Sequence, residues 1–140
     1  MNKLSLPNDA LLGEVAAALR EGREAVIIPT GNSMQPFIRG GRDRVVLRRQ
    51  PEPAVGDIVL ARIGGRYILH RLVAREGEAI TLMGDGNIRG RERCSKEDVI
   101  GTVAEIIRPD GKRIRPGKGT AWRVLLPVRR YLLAIYRRLI

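Results

Sequence analysis

The fold is decided by Gly56-Asp57-Ile58-Val59-Leu60-Ala61-Arg62-Ile63-Gly64-Gly65-Arg66-Tyr67-Ile68-Leu69-His70-Arg71-Leu72. Two runs rich in branched apolar residues meet at a Gly-Gly pair. A two-residue loop whose members can both take positive φ is what a tight β-hairpin requires. The stretch therefore predicts a strand over Ile58 to Ile63, entered through the Gly56-Asp57 turn, and a partner strand over Arg66 to Arg75. Side chains alternate along a strand, so His70 shares a face with Ile68 and Leu72 and is expected to point inside the sheet.

The same grammar extends outward from this hairpin. Upstream, Ala25 to Pro29 and Arg44 to Arg49 read as strands, separated by the turn Gly31-Asn32-Ser33-Met34-Gln35-Pro36, and Pro51 to Pro53 breaks the chain. Downstream, Gly77-Glu78 turns into a strand over Ala79 to Met83. Arg91 to Glu97 reads as a charged loop, Val99 to Ile107 as a strand, and Asp110-Gly111 as a last hairpin turn into Lys112 to Ile114. Six or more short strands at this spacing predict a mainly β fold, a coiled antiparallel sheet or a partly open β-barrel.

Helical spacing appears only at the two ends. Leu11, Leu12, Val15 and Leu19 define an amphipathic helix capped by Asn8 or Asp9 and ended by Gly22, expected to pack on the sheet. Met1 to Pro7 reads as an untethered arm. Residues 115–120 form a linker, and 121–140 return to helical periodicity, with Pro127 starting a second segment or kinking a longer one. The expected organisation is an arm and helix over 1–24, a β core over 25–114, and a linker with a basic amphipathic helix over 115–140.

Bulk numbers narrow the classes. The 140 residues suit one domain, and with 44% hydrophobic but only 4% aromatic residues the core must be aliphatic. Cys94 is the only cysteine, which excludes an internal disulfide and a cysteine-based metal cluster. No secretory signal pattern and no apolar run of about 20 residues is evident, so a cytoplasmic protein is expected, peripheral to a membrane at most. The net charge of +11 is concentrated at one end: residues 108–140 hold ten Lys or Arg against Asp110 alone. Arg123, Arg130 and Arg137 recur every seven residues and so run along one line of the C-terminal helix, interleaved with large aliphatics, Trp122, Tyr131 and Tyr136. That pattern suits a helix lying on an anionic membrane surface, or one packed on the barrel with a solvated arginine face. Nucleic acid is the least favoured partner, since no recognised binding module precedes the basic residues.

Three residue types carry hydrolytic chemistry, each at the end of a strand or just within one: Ser33, His70 and Asp85. A serine hydroxyl needs a base within hydrogen-bond reach and donors for the oxyanion it creates. Taken singly, each has a plain structural alternative: a Gly-Asn-Ser turn, a buried histidine satisfied by a carbonyl, and a turn residue in Gly84-Asp85-Gly86-Asn87. Their order favours the chemical reading. Gly-x-Ser-Met-x-Pro (Gly31 to Pro36), Gly-Asp-Ile-Val (Gly56 to Val59), His-Arg (His70-Arg71), Gly-Asp-x-Asn (Gly84 to Asn87) and Val-Ile-Gly (Val99 to Gly101) follow one another in register. This series resembles the superfamily of signal peptidase I and LexA-type serine peptidases, over roughly residues 25 to 107.

The resemblance implies the coiled β fold of that superfamily and a serine endopeptidase without metal or cofactor. It further implies cleavage of an extended peptide or precursor protein after small residues, through an acyl-enzyme. It makes Ser33 the nucleophile and an oxyanion donor through its backbone N–H, with Met34 as a wall of the substrate pocket. Gly31 stands where some relatives carry a second oxyanion hydroxyl, so Asn32, Thr30 or backbone must supply that donor. Bacterial signal peptidases and LexA proteins place a lysine where this chain has His70, whereas endoplasmic-reticulum and archaeal relatives resemble it in having His-Arg; His70 is then the general base. For the acid behind it Asp85 is the first candidate, Glu92 or Asp98 the substitutes, and a Ser-His dyad the remaining option. Two other readings stand beside this one. A LexA-like self-cleaving regulator would need an Ala-Gly or Cys-Gly bond before Ser33, which the chain lacks; the other is a non-catalytic peptide- or membrane-binding module on the same scaffold.

Overall fold

The computed structural model describes residues 9–140. The expected arm Met1 to Pro7, and Asn8 as a cap, lie outside them. Helix α1, Asp9–Arg20, is followed by β1 (Ala25–Ile27), β2 (Arg44–Arg48), β3 (Ile58–Ile63), β4 (Arg66–Glu76), β5 (Ala79–Met83), β6 (Glu92–Ser95), β7 (Val99–Ile107) and β8 (Arg113–Ile114). The chain ends in α2 (Thr120–Val124), a 3-10 turn over Leu126–Val128, and α3 (Arg129–Leu139).

All the strands join one antiparallel sheet in the order β1-β2-β7-β3-β4-β5-β6, with β8 added to the far end of β7. The predicted hairpin is its centre: Ile63 pairs with Arg66 across Gly64-Gly65, both at positive φ. Register shifts at Val46/Leu47, Leu60/Ala61 and Leu72/Ala74 insert extra residues, and such bulges bend a strand and increase its twist. The sheet accordingly curls into a half-barrel, the expected mainly β architecture.

Curling gives the sheet two apolar clusters. The larger gathers Val15 and Leu19 of α1 with Ile27, Met34, Ile38, Val45, Leu47, Ile58, Leu60, Leu69, Val103 and Ile106. The smaller lies on the opposite parity of the central hairpin, with Val59, Ala61, Leu72, Ile80 and Leu82, against which Cys94 packs. Each fully buried Leu or Ile contributes about 1.5–3 kcal/mol relative to exposure, so the aliphatic core compensates for the scarcity of aromatics.

One buried charge ties the long β1–β2 connection to β7. The Asp43 carboxylate is fully buried and accepts from the Arg39 backbone N–H at 2.7 Å, from Arg42 Nε at 2.8 Å, and from Arg108. Burial alone would raise this carboxyl; the bonds from Arg42 and Arg39 and the Arg108 charge outweigh it, and hold Asp43 below the usual carboxylate range.

One reading of the sequence is corrected. The charged segment Arg91 to Glu97 is not simply a loop: Glu92–Ser95 forms β6, pairing Leu82 with Glu92 and Ile80 with Cys94. Glu-Arg-Cys-Ser has little apolar alternation because β6 is an edge strand. Its half-buried side chains serve polar contacts as well as packing. As the sequence suggests, the C-terminal helix is divided at Pro127, whose ring fits a 3-10 turn and which lacks the N–H a continuous helix needs.

Candidate active site

The site is built where the Ser33 turn, the middle of β4 and the loop leaving β5 meet. Gly31 takes φ +85°, a conformation open to glycine, and turns the chain so that Ser33 lies against residues 84–87. The Gly86 N–H donates to Ser33 O at 2.8 Å, locking loop to turn. The close approach explains the glycines. A Cβ at Gly84 would lie 2.5 Å from Ser33 O and 3.0 Å from His70 Nε2, and one at Gly86 would lie 2.3 Å from Asn32 O. Gly-Asp-Gly-Asn is therefore a surface fitted to the serine turn as well as a turn in itself.

The structure brings the Ser33 turn and His70 together at Gly84. Ser33 is 5% exposed, and its Oγ is buried without a hydrogen-bond partner among the described residues. His70 is 8% exposed and shares the face of Val59, its cross-strand partner. A buried hydroxyl left unpaired forfeits about 1–3 kcal/mol, and such groups collect at sites kept ready for a ligand or reaction. The backbone oxygen of Ser33 and His70 Nε2 lie within 2.5 and 3.0 Å of one point beside Gly84, so the serine turn and the ring are neighbours.

The other ring nitrogen is engaged. His70 Nδ1 lies 2.6 Å from Glu92 Oε1, with the two side chains 10% and 27% exposed. Register explains the meeting: Leu72 pairs with Leu82, and Leu82 with Glu92, so Glu92 falls on the face that His70 shares with Leu72. A carboxylate on Nδ1 selects the tautomer with the proton there and leaves Nε2 as the acceptor, toward the Ser33 turn.

Asp85 does not make the contact anticipated for it. Its carboxylate is 1% exposed and takes a forked ion pair from Arg71, Oδ2 to Nη2 at 2.7 Å and Oδ1 to Nε at 3.2 Å. Arg71 Nη1 donates further to Gly56 O at 2.9 Å and Gly117 O at 2.6 Å, and the guanidinium lies over the Phe37 ring. Burial pushes the Asp85 carboxyl up, against the downward pull of Arg71, Arg129 and His70. The reason for the exchange of partners is strand parity. His70 and Arg71 are consecutive, so they face opposite sides of β4, and the fork of Arg71 claims Asp85 while Glu92 reaches His70.

Met34 also departs from the expected role as a pocket wall, because its side chain is 1% exposed inside the larger core cluster. Asn32 contributes its carbonyl, which accepts from Gln35 N at 3.2 Å and Arg137 Nη2 at 3.5 Å. Burial, with Asp98 and Glu92 nearby, raises the Cys94 thiol, consistent with a packed, unreactive side chain.

Sequence patterns did not disclose that the C-terminal segment braces this site. Trp122 Nε1 donates to Asp85 O at 2.8 Å and its ring meets Phe37 edge-on at 6.2 Å. Arg129 is buried over the Trp122 ring and donates to Asn87 O at 3.0 Å. Arg137 donates through Nε to Gln35 Oε1 at 2.7 Å and through Nη2 to Gly86 O at 3.2 Å, bridging the serine turn to the glycine loop. The four-residue spacing of Arg129, Leu133 and Arg137, which keeps them within one sector of about 80° on a helix, is the signal that could have found this inner face.

Together these contacts hold a serine hydroxyl, a histidine and a carboxylate in chain-distant segments that converge, the layout of nucleophilic hydrolysis. No curated protein matched the chain. The Peptidase S24-like family model matches residues 8–106, well over half of the chain and all of the residues just described except the C-terminal brace. The chain thus belongs to the Peptidase S24-like family, a peptidase family within the LexA and signal peptidase superfamily of serine peptidases.

Proposed function

We propose that the protein is a serine endopeptidase in which Ser33 is the nucleophile, His70 the general base and Glu92 the carboxylate that orients it. The observation that carries this reading is the 2.6 Å contact from His70 Nδ1 to Glu92, which leaves Nε2 as an acceptor at the serine turn, where the Ser33 hydroxyl has no partner among the described residues. Rotation of Ser33 brings Oγ to Nε2; such hydrogen bonds are often open in unliganded sites and tighten with substrate. Nε2 then takes the Oγ proton as Oγ bonds to the scissile carbonyl carbon, and backbone donors of the serine turn receive the oxyanion. The imidazolium, held by Glu92, returns the proton to the leaving amine as the C–N bond breaks. Water, deprotonated by His70, releases the acyl group from Ser33. The substrate is an extended peptide or precursor protein, and cleavage after small side chains follows from the signal peptidase resemblance.

The test is cleavage of a mixed peptide pool, read by mass spectrometry, with the intact protein and with Ser33→Ala and His70→Ala. The expected outcome is discrete cleavage that falls by about 10⁴–10⁶ in each variant while the unfolding midpoint stays put. Cleavage retained by Ser33→Ala would remove the assignment.

A further inference from the structure

The outward face of the C-terminal helix is built differently from its inward face. Arg129, Leu133 and Arg137 turn toward the protein, where Arg129 and Leu133 are buried. On the other side Tyr131, Ile135 and Leu139 are 63%, 57% and 80% exposed, an unusual degree for three large apolar residues. They recur every fourth residue, so at 3.6 residues per turn they cover one sector of about 80°. Val124, Leu125 and Val128, in the turns before α3, are exposed as well. Arg138 and Arg130, both exposed, lie about 20° and 100° beyond the same edge of this sector.

We propose that this face docks on an anionic lipid surface, with Tyr131, Ile135 and Leu139 entering the headgroup boundary and Arg130 and Arg138 on the lipid phosphates. Charge decides the occupant. Residues 120–140 contain five arginines and no acidic residue, so a second copy of the chain would bring like charges together across the same stripe. An acidic peptide would satisfy the arginines and leave the apolar sector in water. An anionic bilayer satisfies both, since apolar area and cationic side chains act together at such interfaces. Among the described residues no helix is long and apolar enough to cross a membrane, so the helix would lie in the interface. Trp122 is not one of the inserted aromatics, because its indole is turned inward onto Asp85 O and Phe37. Lipid contact therefore occupies one side of a helix whose other side holds the Ser33 turn and the glycine loop.

The experiment is co-sedimentation of the full chain with phosphatidylcholine vesicles, with and without phosphatidylglycerol, alongside I135E/L139E and R130E/R138E. All four positions are exposed, so the fold should survive, and circular dichroism checks that it does. Binding is expected only with phosphatidylglycerol, weakened about fivefold by loss of each arginine and at least tenfold by the apolar double variant, and reduced by salt. Failure to sediment, equal binding to both vesicle types, or full binding by I135E/L139E would overturn the proposal. So would a dimer in analytical ultracentrifugation that dissociates in I135E/L139E, which would give the stripe to a second copy.

Discussion

His70 and Arg71 are neighbours on one strand, and each takes a carboxylate from another segment. The two pairs are opposites in environment. His70–Glu92 is partly open, its side chains 10% and 27% exposed, and it borders the serine turn. Arg71–Asp85 is sealed at 1% and 2% exposure, and the remaining guanidinium donors go to the carbonyls of Gly56 and Gly117. Strand parity sends the two halves of a His-Arg dipeptide to opposite faces, a partly open pair on one and a sealed framework pair on the other. Asp85 fixes the loop on which the serine turn rests; Glu92 addresses the ring that would move the proton.

The largest effect should come from breaking the sealed pair. Arg71→Ala leaves the Asp85 charge buried and two carbonyls unpaired, and should lower unfolding stability by about 3–5 kcal/mol in a urea titration. That cost does not mean the intact pair is a large net source of stability. The raised Asp85 carboxyl indicates that its desolvation is not fully offset by Arg71, which is the usual behaviour of buried ion pairs. A loss under about 1 kcal/mol would mean that water reaches the pair, and the contrast with His70–Glu92 would dissolve.

A sharper division comes from exchanging each carboxylate for its amide. Glu92→Gln should cut kcat/KM by about 10²–10⁴ with little change in stability, because it disturbs the tautomer and leaves the imidazolium unsupported. Asp85→Asn should act mainly on stability, with kcat/KM falling only as far as the folded fraction falls. Rate loss confined to Asp85→Asn would restore Asp85 as the acid behind His70.

Away from both pairs, Asp43 sets a smaller, pH-dependent contribution. Its carboxyl lies below the usual range when folded, so the unfolded chain binds its proton first. The stabilisation is therefore present above the ordinary carboxylate pKa and is lost as pH falls through the lowered folded value. Asp43→Asn should cost about 1–3 kcal/mol at neutral pH and flatten the acid side of the stability profile. An unchanged acid limb would place the sensitive carboxylates elsewhere.

How far the sequence carried varied with the type of signal. The hairpin over Ile58 to Arg75 was legible because period-two alternation and a Gly-Gly turn agree, and His70's face followed from parity. Ser33 and the glycine loop were legible as ordered motifs. The carboxylate on His70 was legible only as a substitute for Asp85, since β6 is an edge strand of charged residues that no hydrophobic pattern reveals, and Glu92 gains its place only through a register two strands removed from His70. The partner of Asp85 was not legible, because a forked Arg-carboxylate pair depends on which side of β4 Arg71 faces, a three-dimensional competition that spacing along the chain does not rank. The C-terminal helix was legible as amphipathic and basic, but its division into an inner brace of Arg129 and Arg137 and an outer stripe needs the docked orientation.

The most direct test of the central claim is to locate a covalent serine probe. The intact protein would be treated with a fluorophosphonate, weighed, and mapped by peptide mass spectrometry, beside His70→Ala and Glu92→Gln. A single adduct on the peptide containing Ser33, formed far more slowly in both variants, is the predicted result. An unlabelled protein, or an adduct on Ser95 that forms regardless of His70, would contradict a nucleophilic Ser33 activated through His70 and Glu92.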